Sequence, residues 1–307
     1  MDAKELYKKF SETHDLPLFQ QFDWWNRILD EWYVITEKID EYQAFFVFQY
    51  ESKMGFKLIK NPYLTPYSGF IFSPSCDEYI KKKLVELLLV KIPKNDFFQI
   101  DLHPSDTDMD KYIFFKTYKK RTNYMNLTQD TYVLFDFFKS SLRRQIRKAS
   151  KYELYVQEED NIEQFYTLYL HTFQRQNSKP PVPKHVLERT WMALKDINAG
   201  KMLFVLDPDG NYQAAIILAY DKATAYYLCG GANPDYFVKG SVNLLLWHAI
   251  LLSKKMGKEV FDFEGSMIDS INTFFKSFSP EEKTYYSIEK TSSALYTLLR
   301  GIKRKAT

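Results

Sequence analysis

Histidine and cysteine are scarce in this chain, five and two among 307 residues. The histidines show no H-x-x-x-H or other clustered pattern, which argues against a metal hydrolase. Cys76 and Cys229 are far apart and lack metal-ligand spacing, so reduced thiols in a cytoplasmic compartment are the natural expectation. Long apolar runs are missing too. "LVELLLV" and "LLLWHAILL" fall well short of the roughly 20 residues needed to cross a bilayer. The opening "MDAKELYKKFSETHD" is charged and has no apolar centre, unlike a signal peptide. Excess charge of one sign is also absent. A net charge of +3 excludes bulk-charge binding of nucleic acid, so any basic site must be local.

What the chain has in quantity is apolar and aromatic surface, 45% and 17% of residues, enough for real cores. Its length allows one large domain or two of about 150 residues. Helical spacing runs through "LPLFQQFDWWNRILDEW", where Trp24 and Trp25 read as core. Two β-rich runs flank the turn "ESKMG". "CDEYIKKKLVELLLVKI" predicts an amphipathic helix with Leu84, Leu87, Leu88 and Ile92 inward. "SLRRQIRKASK" predicts a helix with Ser141 as N-cap. "MLFVLDPDGNYQAAIILAY" is a hairpin around Asp-Pro-Asp-Gly, and "SVNLLLWHAILLSKKMG" is a helix ending at Gly257. Strand, helix, strand and a closing amphipathic helix follow in "KEVFDFEG", "DSINTFFKSF", "KTYYSIEK" and "SALYTLLRGIKRK".

This order is α+β and occurs in both halves, which predicts two domains, 1–130 and 131–307. Each would be a mixed, mainly antiparallel sheet flanked by helices. The pieces "FDWWNRILDEW", "PYLTPYSGFIF", "SSLRRQIRKASKYELYV", "YYLCGGANPDYFVKGSVNLLLWHAI" and "FDFEGSMIDSINTFFKSF" carry a resemblance. In order and spacing they resemble the GNAT acyltransferase fold used twice, in the Fem-type branch of peptidoglycan-bridge aminoacyltransferases. The resemblance covers about residues 20–290, with one departure: Ser279 stands where the family usually has glycine.

The resemblance implies a bacterial N-acyltransferase of cell-wall biogenesis, with the reaction centre in the second domain and the acceptor in a cleft between domains. It implies an acyl-CoA or aminoacyl-tRNA donor, and as acceptor an amine such as that of a nucleotide- or lipid-linked muramyl peptide. Lys276 would be the positive partner of the oxyanion, with Phe275 packed beside it in an apolar setting where one charge counts for more. At about 100° per residue, however, Lys276 points off the core face that Ile271 and Phe275 define, as a solvated lysine would. Arg175 and Tyr227 are candidates for the acceptor groove.

Strand alternation puts Val260, Asp262 and Glu264 on one face. Asp262 is expected to orient the Glu-Gly-Ser turn in preference to acting as general base, and Glu264 is the weaker candidate for a base; the resemblance leaves that role open. Arg143, Arg144, Arg147, Lys148 and Lys151 form a basic run backed by Leu142, Ile146 and Ala149. Stacked like charges cost helix stability, which a phosphate-bearing partner would offset. A solvated face explains the run equally well. Lys239, Gly240, Ser241 and Asn243 open a helix where GNAT enzymes hold pyrophosphate, or simply cap it. The full Gln/Arg-x-x-Gly-x-Gly/Ala signature is absent, which weakens the case for CoA. The rival readings are a silent binding protein of this fold and a basic-helix RNA-binding module. The expected location is cytoplasmic, with the basic "RGIKRK" allowing weak contact with the inner membrane face.

Overall fold

A computed structural model describes residues 2–174, 178–234, 238, 240–264 and 267–305. The chain divides into two compact units, residues 1–120 with 284–307, and residues 121–283.

Unit 1 opens with helices α1 (Ala3–Thr13) and α2 (Phe22–Ile28), which bury Tyr7, Phe10, Trp24 and Trp25. Strands β1 (Tyr33–Ile39) and β2 (Tyr42–Phe48) form an antiparallel hairpin. The expected turn at "ESKMG" is tighter than its composition suggests. Strands β3 (Tyr50–Lys53) and β4 (Phe56–Lys60) close around Met54 and Gly55 alone, both at positive φ. β5 (Phe70–Phe72) completes a sheet ordered β1-β2-β5. Helix α3 (Glu78–Lys91) buries Leu84, Val85 and Leu88. The expected inward Leu87 is exposed, because Val85 takes the position facing the sheet. β6 (Phe97–Asp101) then pairs in parallel with β4.

Strand β7 (Lys116–Asn126) leads into unit 2. Helices α4 (Thr131–Phe137) and α5 (Ser140–Lys151) follow. Leu142, Ile146 and Ala149 are buried as the stripe predicts, but Lys139, not Ser141, is at the N-cap and no side chain caps the helix. Next come β8 (Tyr155–Glu158), α6 (Ile162–Gln174), α7 (Lys184–Asp196), β9 (Gly200–Leu206), β10 (Tyr212–Tyr220) and β11 (Thr224–Ala232). Helix α8 (Ser241–Lys255), β12 (Val260–Asp262) and α9 (Asp269–Phe275) close the unit. Its strands lie in the order β7-β12-β11-β10-β9-β8. All these pairings are antiparallel except β11 with β12. Two glycines decide the packing. A Cβ on Gly231 would come within 2.4 Å of the α6 backbone at Leu168 and Tyr169, so that helix can rest directly on β11. A Cβ on Gly240 would meet the Gln145 carbonyl at 2.6 Å, which brings α8 against α5.

The chain then returns to unit 1. Strand β13 (Glu281–Thr291) pairs antiparallel with β6, and helix α10 (Ala294–Lys305) packs Tyr296 on Phe56 and Phe97. This return corrects the expected division at residue 130. Sequence pattern marks strands and helices locally; it does not show that β13 pairs with a strand some 190 positions earlier. Each unit is α+β with a mainly antiparallel sheet, as expected.

Candidate functional site

The site in unit 2 begins where β12 stops. Asp262 is buried; its Oδ1 accepts from the Thr122 hydroxyl at 2.5 Å and from the Glu264 N–H at 2.8 Å. The Asn123 carbonyl accepts from the Phe263 N–H at 3.0 Å. These bonds hold the chain in a sharp exit, and Glu264 takes φ 56°. The expected alternation of Val260, Asp262 and Glu264 on one strand face therefore ends at Asp262, because the backbone enters the left-handed region two residues later. A β-carbon in that region is strained, and a non-glycine residue there points to a constraint worth explaining.

The Glu264 carboxyl is the unusual group of the site. Its Oε1 is buried with no hydrogen-bond partner among the described residues. Burial, aided by the nearby Asp262 charge, pushes its pKa well above the ordinary carboxylate range. Such a carboxyl holds its proton more tightly than one in water and is a better base once it has lost it. Its charge is felt by Tyr227 and Cys229 on β11 and by Tyr124 on β7, all raised first by their own burial. Leu228 is the extra residue of a bulge in the β10–β11 register, so β11 bends between Tyr227 and Cys229. The Tyr227 ring lies edge-on to Phe275, 5.6 Å between centroids, and Phe263 packs on the same Phe275 at 5.3 Å. Tyr124 also lines a hollow of about 570 Å³ with Val260, Leu134 and Phe278.

Helix α9 is tied to β7 by side chains that sequence reading passed over. The buried Asn123 amide donates to Asn272 Oδ1 at 2.9 Å, and Arg121 pairs with Asp269 at 2.6 Å. The run "RTNY", Arg121 to Tyr124, thus supplies a helix anchor, a carboxylate partner and a wall of the site. Its only sequence signal is a polar run inside an otherwise β-rich stretch.

Lys276 follows directly on α9. Its ammonium pairs with Glu282 at 2.8 Å, and its side chain is 47% exposed. This corrects the expected low-dielectric setting: Phe275 is buried and Lys276 is not, as the helical projection had placed them. The Lys276 hydrogen bond holds Glu282 below the usual carboxylate range. Ser279, at the position where glycine was expected, takes φ 54°, and its hydroxyl donates to the Phe137 carbonyl at 2.6 Å.

The basic run is spread over the outside of α5. Arg143 pairs with Asp136, the Arg147 guanidinium sits over Phe135, and Lys148 sits over Tyr152. Arg144, Arg147, Lys148 and Lys151 are exposed. At the start of α8, Gly240 takes φ 103° and Ser241 is buried, with no partner for its hydroxyl among the described residues. A small, unpartnered hydroxyl beside a 15-residue helix start suits a phosphate. Asn243 does not serve there, since its amide donates to Gln145 Oε1 at 2.7 Å and joins α8 to α5. Arg175 and Lys239 lie outside the described residues. Among the described residues, no group of three or more His, Cys, Asp or Glu is placed to hold a metal ion.

The family model of the acetyltransferase (GNAT) domain matches residues 137–276. This stretch is the part of the chain similar to the GNAT family. It lies within unit 2 and holds α5, the β11 bulge, the start of α8 and the segment from Asp262 to Lys276. The chain is similar to the solved structure of FemX, with 14% identity and a TM-score of 0.70 over 93% of this chain and 96% of that one. It is similar to L-PGS from Bacillus licheniformis, with 12% identity, a TM-score of 0.55 and 85% of each chain covered. A tandem GNAT protein from the clavulanic acid biosynthesis pathway matches with 8% identity and a TM-score of 0.54 over 94% of each chain. At such identities the likeness is one of fold, that of two GNAT-like domains in tandem. No curated protein matches the chain.

Proposed function

We propose that this GNAT-domain chain is an N-acyltransferase in which Glu264 accepts the proton of the attacking amine. The observation that carries the reading is Glu264 itself: its Oε1 is buried and unpartnered among the described residues, and its backbone takes a strained φ while its N–H donates to Asp262. An acceptor amine is protonated in water and cannot attack until it loses a proton. A carboxylate out of water, with a raised pKa, is matched to that task. Tyr227 and Phe275 would then shape the acceptor side, with Asp262 holding the turn. Lys276, half-exposed, would meet an anionic part of the donor or acceptor and leave Glu282 to do so.

For the carrier, the exposed cations of α5 and the buried hydroxyl of Ser241 suit a phosphorylated donor, either acyl-CoA or an aminoacyl-tRNA. The acceptor class we favour is an amine of a cell-envelope precursor such as a muramyl peptide, on the strength of the Fem-type fold. The test incubates the purified chain with acetyl-CoA or charged tRNA and a nucleotide-linked muramyl peptide, and follows acylated product by mass spectrometry. Product from the parent chain and none from Glu264→Gln supports the reading. Binding of donor and acceptor without product from either chain would favour a silent binding protein.

A further inference from the structure

Helix α10 is packed with its apolar side out. Its inward contacts are Tyr296, seated on Phe56 and Phe97, and Arg300, whose guanidinium lies 4.3 Å over Phe97 and pairs with Glu289 at 2.7 Å. Leu295 and Leu298, by contrast, are 59% and 62% exposed, and Leu299 is exposed beside them. Leucines at i, i+3 and i+4 are the pattern that normally faces a core. Here an aromatic residue and an arginine have taken the core side, and the leucine stripe faces outward.

A second exposed apolar element lies beside α10. Ile113 and Phe114, in the loop before β7, are both exposed, and with Thr297, Arg300 and Gly301 of α10 they line a space of about 650 Å³. Cations are plentiful around these two elements, beside the acids Asp110, exposed just before the tip, and Glu51, whose charge reaches Tyr296. The α10 sequence, "ALYTLLRGIKRK", contains Arg300, Lys303, Arg304 and Lys305 and no acid. Lys116 and Lys119 follow Phe114 and are exposed. The nearby acid Glu289 is engaged by Arg300.

We infer that α10, with the Ile113–Phe114 tip, is a docking surface for an anionic lipid bilayer, on which the helix lies in the interface plane. An outward leucine stripe on a helix whose sequence is rich in lysine and arginine is the composition that such a surface selects: leucines enter the acyl boundary while cations meet anionic headgroups. A second copy of this chain is a poorer occupant, because pairing two such helices would set cation against cation at short range. The helix is only 12 residues long, so the attachment is reversible and depends on both the apolar and the charged contribution. The inference is independent of acyl transfer, and its test uses no donor or acceptor.

The experiment is co-sedimentation of the full chain with vesicles of phosphatidylcholine alone and with about one-third phosphatidylglycerol, at low and high salt. The parent chain is expected to pellet with the anionic vesicles only, and to be released by salt. Leu298→Glu should weaken binding about tenfold or more, with an unchanged melting temperature, since the residue is exposed. Replacing Lys303, Arg304 and Lys305 by Gln should remove most of the salt dependence. The inference is overturned if the parent chain stays in the supernatant with anionic vesicles, or if Leu298→Glu binds as well as the parent. It is also overturned if light scattering without lipid shows a dimer that Leu298→Glu dissociates, which would assign the face to a second copy.

Discussion

Glu264 is held in two unfavourable states at once: its backbone is at φ 56°, and its Oε1 is buried without a partner among the described residues. Glycine would remove both. Glu264→Gly should therefore stabilise the fold, by about 1 kcal/mol from the backbone alone, while abolishing turnover. Thermal unfolding of the two proteins checks the first half and the acylation assay the second. The pH dependence has a definite sign. The folded carboxyl binds its proton more tightly than the unfolded one, so stability falls as pH rises from the ordinary glutamate range toward the raised folded pKa. Glu264→Gln, which is always neutral, should lack that loss, and should cost roughly 100-fold or more in turnover if the carboxylate is the base. A Gln variant that keeps both the pH slope and the activity would rule out this role. Lys276 makes a milder prediction. Its ion pair with Glu282 is exposed, so Lys276→Ala should change stability by less than about 1 kcal/mol. A large loss of turnover with an unchanged melting temperature would place the ammonium in the reaction.

Among the elements, α5 and α6 meet the rest of unit 2 in different ways. Gly231 allows α6 to touch β11 backbone to backbone. Gly231→Ala should be severely destabilising, by about 3 kcal/mol or more, because the new methyl meets main chain and not a movable side chain. Denaturant titration measures this directly. The outer face of α5 carries no comparable packing. Replacing Arg144, Arg147 and Lys148 by Ala should leave the melting temperature nearly unchanged and flatten the salt dependence of binding to a phosphorylated donor. If donor affinity and its salt slope stay as in the parent chain, the run is a solvated face. The helix itself was legible in sequence to within a residue, and so was its buried stripe. Its cap was not, since Ser140 and Ser141 both lie inside the first turn and the fold supplies the entry by bonding the Lys139 N–H to the Ser277 carbonyl.

Across the whole chain, the last 24 residues belong to the unit formed by the first 120, not to the unit they follow. β13 inserts Tyr285 and Ile288 into buried positions and completes the pairing of β6. Removing residues 284–307 should thus unfold unit 1 while leaving the strand pairings of unit 2 in place. Circular dichroism and proteolysis of the truncated chain would show it. Survival of a compact unit 1 would contradict the pairing.

Sequence alone determined what depends on near neighbours. Helices and strands followed from periodicity, the Asp-Pro-Asp-Gly hairpin from its turn residues, the buried tryptophans from their spacing, and the two-unit α+β architecture from the order of elements. Interactions between residues remote in sequence were decided by the tertiary structure. Thr122 and Asn123 bond to Asp262 and Asn272 about 140 positions away, and no local pattern marks them as partners. Lys276 sits among phenylalanines in sequence, but the fold buries Phe275 and turns the lysine toward Glu282. The leucine stripe of α10 was visible as a stripe, but only packing could show that it faces away from the core. Periodicity reports that a face is apolar; which surface covers that face is set by every other element competing for the core.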